Sequence, residues 1–126
     1  MASPILEHVN LTVSDNRRAA ALFSTLFGWH IRWEGPSQSG GHSIHVGDKR
    51  FYLAFYTPAD DCGCAKGYAK GAPLNHVGLL VDDLLTVKAG VEAAGLATFN
   101  HERYEPGERF YFFDWDGIEF EIVSYA

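Results

Sequence analysis

Leu6-Glu7-His8-Val9-Asn10-Leu11-Thr12-Val13 returns 68 positions later as Leu74-Asn75-His76-Val77-Gly78-Leu79-Leu80-Val81. Both octets hold His third, Val fourth, Leu sixth and Val eighth. A short acidic turn follows each, Ser14-Asp15-Asn16 in the first and Asp82-Asp83 in the second. Helical patterns come next, over Arg17–Phe27 and Leu84–Ala94, and Gly28 and Gly95 stand where a helix stop belongs. One short match arises by chance. The same order of strand, turn, helix and glycine, met twice, marks a duplicated unit.

Beyond each helix the apolar period drops to two and the composition turns to β-formers. Strands are expected near Trp29–Glu34, His42–Val46 and Arg50–Tyr56, punctuated by Gly40-Gly41 and Gly47-Asp48. Their counterparts are expected near Thr98–Arg103, Glu108–Asp114 and Ile118–Tyr125, with Asp116-Gly117 as a hairpin turn between the last two. Each half is thus a βαβββ module, about 4–57 and 74–125, within one domain over 1–126. The link 58–73, with Gly63, Gly67 and Gly71, two prolines and Asp60-Asp61, reads as a mobile loop. One such module cannot cover both faces of its own sheet. The expected class is α+β, with paired modules, from one chain or two, curving into an open barrel with helices outside. The inner faces then offer the natural place for a site.

The chain has 126 residues, 47% of them hydrophobic and 21% charged, which fits a globular domain and excludes fibrous or disordered classes. Ten Lys and Arg stand against sixteen Asp and Glu, a net charge of −6, with no basic run. No nucleic-acid partner is expected. No long apolar stretch predicts a membrane span, and the first residues show no signal peptide. Two cysteines, Cys62 and Cys64, make no disulfide framework. The expected location is the cytoplasm.

Alternation decides which residues meet the inner face. Val9, Leu11 and Val13 belong to the helix side, leaving His8, Asn10 and Thr12 inward. Likewise Val77, Leu79 and Val81 face a helix and His76 faces in. In the last strand Phe120 and Ile122 pack under the helix, so Glu121 points inward. A carboxylate there is costly unless paired. Two inward histidines and a divalent cation supply that partner. Two His and one carboxylate with open positions form the facial arrangement of non-haem iron sites, which Mn, Ni or Zn can also occupy. His8, His76 and Glu121 are therefore the candidate metal ligands.

At these residues the chain resembles the vicinal oxygen chelate superfamily, which includes glyoxalase I, fosfomycin-resistance proteins, extradiol dioxygenases and bleomycin-resistance proteins. The likeness rests on His8-Val9-Asn10-Leu11-Thr12-Val13, on Asn75-His76-Val77-Gly78-Leu79-Leu80-Val81, and on the closing Phe110–Val123 stretch with Asp114-Trp115-Asp116-Gly117. It implies paired βαβββ modules, a homodimer, a metal on His8, His76 and Glu121, and a small oxygen-rich substrate. The metal would hold two neighbouring substrate oxygens and stabilise developing negative charge as a Lewis acid. Glyoxalase I carries a fourth ligand, whose place by the repeat offset falls on Leu53 or Ala54. Neither coordinates, so a standard four-ligand glyoxalase I is not expected. The serine-rich loop of the thiol transferases is missing from 101–109, which argues against fosfomycin modification. Lyase or isomerase chemistry and dioxygenation both stay open. The alternative is a metal-free protein of the bleomycin-resistance type that sequesters a small molecule, for which an acidic surface suits a cationic guest.

Tyr104, Arg109 and Tyr111 are expected to line the pocket as substrate contacts, with Asn10 as a hydrogen-bond partner. His101, Tyr104 and Tyr111 are the candidates for acid–base work. Arg109 and Tyr111 share a strand face opposite Phe110 and Phe112. Trp29 and Trp33, four apart in an expected strand, should share a face as well. His42 and His45, three apart, should face opposite sides. The Cys62-Gly63-Cys64 pair is read as a loop feature without function.

Overall fold

Both repeats fold as a strand, a helix and three further strands in the computed structural model, which describes residues 4–37, 40–59, 73–104 and 107–125. The first runs β1 (His8–Thr12), α1 (Asn16–Phe27), β2 (His30–Pro36), β3 (His42–Gly47) and β4 (Tyr52–Thr57). The second runs β5 (Val77–Leu80), α2 (Leu84–Ala93), β6 (Thr98–Tyr104), β7 (Gly107–Phe113) and β8 (Glu119–Ser124). Each makes a mixed four-stranded sheet, of order β1-β4-β3-β2 and β5-β8-β7-β6, in which only the first pair is parallel. The class is α+β, of paired βαβββ modules. The chain divides into two compact units, Met1–Ala65 and Lys66–Ala126. The expected loop and its two cysteines lie outside the described residues over 60–72. No helix among the described residues is long and apolar enough to cross a membrane.

Local chemistry starts and stops the helices. The Asp15 carboxylate accepts from the Arg18 amide at 3.1 Å, and Asp83 does the same for Thr86 at 3.2 Å. The α1 helix ends on Gly28 at φ 68°, a left-handed value that costs glycine nothing. In each unit the helix covers one sheet face. Phe23 of α1 is buried with Ile44, Val46 and Phe55 of the sheet beneath it, and Phe110, Phe112, Phe120 and Ile122 are buried under α2. Each such side chain contributes about 1.5–3 kcal/mol by leaving water. The opposite face is left for polar groups.

Two bulges redirect side chains that plain alternation places elsewhere. The β2–β3 register shifts between Ile31 and Trp33, so Trp29 and Trp33 do not share a face. Trp29 packs with Phe23, Phe27 and Phe51, whereas Trp33 lies against His45 on the other side. The β6–β7 register shifts between Phe99 and Glu102, around Asn100 at φ 51°. One extra residue reverses the facing of everything after it.

Candidate functional site

On the uncovered face of the second sheet, three strands converge on Glu121. Its neighbours Phe120 and Ile122 are under α2, so the carboxylate stands on the opposite side and is 13% exposed. In register it lies between Gly78 of β5 and Tyr111 of β7. Gly78 has no side chain, and a Cβ there would lie 3.6 Å from Glu121 Oε1. That gap lets His76, immediately before β5, bring Nε2 to 3.1 Å from Oε1. The other oxygen, Oε2, accepts from Arg109 Nη1 at 3.1 Å and from the Tyr111 hydroxyl at 3.3 Å. The Tyr104 ring lies 4.6 Å from the Arg109 guanidinium carbon and covers it. Burial first, and then the Glu121 carboxylate, push the Tyr111 phenol above its usual value. It stays a hydroxyl donor at neutral pH.

Asn75 determines what His76 can do. Its amide oxygen sits 2.7 Å from Nδ1. An amide oxygen only accepts, so Nδ1 carries a hydrogen and Nε2 is the nitrogen that faces Glu121. A lone pair and a carboxylate oxygen 3.1 Å apart repel unless a proton or a cation lies between them. Two donors bound at right angles to one first-row metal at roughly 2.1 Å stand about 3.0 Å apart. The donor pair therefore fits a divalent metal in both distance and chemistry. Among the described residues, no three His, Cys, Asp or Glu side chains group closely enough to hold an ion by themselves.

The first unit repeats half of this plan. His8 opens β1 on the face away from α1, and its Nδ1 is 2.9 Å from Glu7 Oε1. Nε2 is again the nitrogen left for coordination. The His8 ring stacks on Tyr52 of β4 at 4.8 Å, Tyr52 stacks on His45 of β3 at 4.4 Å, and His45 meets Trp33 of β2 at 5.1 Å. These spacings follow the strand separation of a sheet. The rings form a column across all four strands, with the Arg32 guanidinium 4.6 Å from the Tyr52 centroid. Burial, then the positive charges of His8 and Arg32, lower the His45 pKa.

The sequence candidates thus divide. His76, Glu121, Arg109 and Tyr111 meet on one face, with Tyr104 over Arg109. His8 and Asn10 share the corresponding face of the first unit, Asn10 exposed and opposite Ala54. His101 is not among them. The bulge at Asn100 turns it to the helix side, where Nε2 is 2.6 Å from Glu108 and Nδ1 receives Lys88 Nζ at 2.9 Å. The fourth-ligand question resolves onto Ala54, which pairs with Asn10 as Glu121 pairs with Gly78; Leu53 is buried on the other side. Glu121 has a further partner that the sequence reading did not name, since Arg109 forms an ion pair with it. Sequence reasoning missed Glu7, Asn75, Tyr52 and His45. The first two were signalled, because a polar acceptor precedes the histidine in both octets.

The whole arrangement places the chain in a class. Residues 7–112 match the family model of the Glyoxalase/Bleomycin resistance protein/Dioxygenase superfamily, and the chain belongs to that family. Among solved structures, a glyoxylase/bleomycin resistance protein/dioxygenase domain from Frankia sp. EAN1pec is 20% identical, with TM-score 0.82, covering 98% of both chains. The fosfomycin resistance protein FosX from Listeria monocytogenes, complexed with Mn(II) and sulfate, is 15% identical, with TM-score 0.72 over 98% of this chain and 93% of that one. A glyoxalase I mutant from Zea mays is 18% identical, with TM-score 0.76, and 95% of this chain covers 46% of its length. No curated protein matches the chain by sequence.

Proposed function

We propose that the protein is a metal-dependent enzyme of this superfamily that takes a small oxygen-rich molecule. In this reading His8, His76 and Glu121 hold a divalent metal, Fe, Mn, Ni or Zn, and Asn10, Tyr104, Arg109 and Tyr111 contact the substrate. The observation that carries it is His76 Nε2 standing 3.1 Å from Glu121 Oε1, with Nδ1 2.7 Å from the Asn75 amide oxygen. Glu7 preparing His8 in the same way supports the third ligand. When bound, the metal supplies Lewis-acid polarisation of adjacent substrate oxygens. The chain's own groups do the rest. Arg109 and Tyr111 fix the Glu121 carboxylate through Oε2 and leave Oε1 for coordination. Tyr104 and Phe99, which stacks on Tyr111, add aromatic surface beside it. The Tyr111 hydroxyl, held next to Glu121, is the proton donor this reading offers the substrate. Ala54 in the fourth-ligand place favours a three-ligand site over the glyoxalase I arrangement. The family likeness supports a homodimer.

One observation favours the second reading, a metal-free binding protein. The Arg109–Glu121 pair, 14% and 13% exposed, balances the carboxylate without a metal. Elemental analysis of untagged protein beside a His76→Ala/Glu121→Ala variant separates the two. Near-stoichiometric metal in the parent, lost in the variant, is the expected result. No metal after reconstitution with each cation overturns the metal reading and leaves the binding protein.

A further inference from the structure

We infer that the substrate is an anion and that Arg109 selects it; this rests on the metal-dependent reading above. The chain as a whole is acidic, at −6, yet the Glu121 carboxylate is paired with a cation, Arg109. Its single negative charge faces the Arg109 guanidinium at Oε2 and, when a metal is bound, a dication beside Oε1. One carboxylate cannot neutralise both. Glu102 lies opposite Arg109 in register but makes no ion pair with it. The deficit is left for the ligand.

The guanidinium is also underused. Among the described residues its hydrogen bonding goes to one oxygen, through Nη1, while Nε is buried with no partner. Arg109 is therefore not locked in the two-bond fork that guanidinium and carboxylate normally form. The Tyr104 ring over its face, 4.6 Å from the guanidinium carbon, holds it in plane and leaves the terminal Nη donors, not the buried Nε, for a ligand. A carboxylate or similar oxyanion next to the metal-binding oxygens of a substrate meets these donors. A neutral substrate with the same oxygens leaves them unsatisfied. The family likeness had suggested a cationic guest for the acidic surface; the charges at the site select the opposite sign.

Succinic monohydroxamate and the corresponding terminal amide test this, since both chelate through the same hydroxamate oxygens and only the first carries a separate negative charge. Both are titrated against Mn(II)-loaded protein and followed by water-proton relaxation, with Mn(II) affinity measured separately. The monohydroxamate with its free carboxylate is expected to bind at least about tenfold tighter than the amide. Arg109→Gln is expected to erase that preference while retaining Mn(II), and Arg109→Lys to restore it in part. Equal binding of the two ligands in the parent protein, which needs no variant to fold, overturns the inference. A preference that survives Arg109→Gln overturns it too, and both results leave the metal reading standing. Failure of the parent to bind Mn(II) removes the metal reading and this inference with it.

Discussion

Asn75 and Glu7 perform one task in two places. Each precedes a histidine, takes its Nδ1 hydrogen and turns Nε2 outward. Outer partners of this kind change metal affinity by about 10–100-fold. Asn75→Leu is expected to weaken Mn(II) or Zn(II) binding within that range, measured by competitive titration. Unchanged affinity would remove the orienting role. His45 gives a pH signature in the first unit. Its folded pKa lies below the ordinary imidazole value of about 6.5, so the unfolded chain takes up its proton first as the solution is acidified. The contribution of His45 to stability is whole above about pH 6.5 and is lost as pH falls toward the folded value. Urea melts of the parent and a His45→Asn variant should converge in acid, and the His45 NMR titration should sit below that of a free imidazole. At this scale the ligand candidates were legible, because a polar residue in an apolar strand stands out. Arg109's ion pair was not, since β7 and β8 meet only through the fold.

Elements carry information that alternation cannot supply. The bulge at Asn100 puts His101 beside Lys88 and Glu108 and sends Glu102 to the Arg109 side. Asn tolerates φ 51° better than a β-branched residue does. Asn100→Val should cost about 1–2 kcal/mol in chemical denaturation, and Asn100→Gly little or nothing. The Asp114 turn also has a structural role. Its Oδ1 accepts from the Asp116 and Ile118 amides, both at 2.9 Å, and the residue is 7% exposed. Asp114→Ala leaves those donors unsatisfied and should cost about 1–3 kcal/mol, with metal affinity per folded molecule unchanged. Strands, helices and caps were readable from periodicity and from Asp15, Asp83 and Gly28. The two bulges were not, because a bulge is set by the register of the partner strand.

Across the whole molecule, the proposed metal site would couple binding to folding. A cation held by the folded chain alone, at about 100 times its Kd, adds about 2.7 kcal/mol of stability. For a chain of this length that is a rise of roughly 10 °C in Tm. Scanning calorimetry should show the rise with Mn(II), its reversal by a chelator, and its absence in Glu121→Ala. An equal rise in that variant would place the ion elsewhere. The sequence by itself determined the duplicated βαβββ module, the α+β class and the residues able to bind metal, because these follow from local periodicity and from chemistry carried by single residues. Only the tertiary structure decided which strands are neighbours. That choice gave Glu121 its arginine, aimed His76 across the glycine gap, stacked His8 on Tyr52 and turned His101 away. Each depends on registers between strands distant in the chain, which no local pattern encodes.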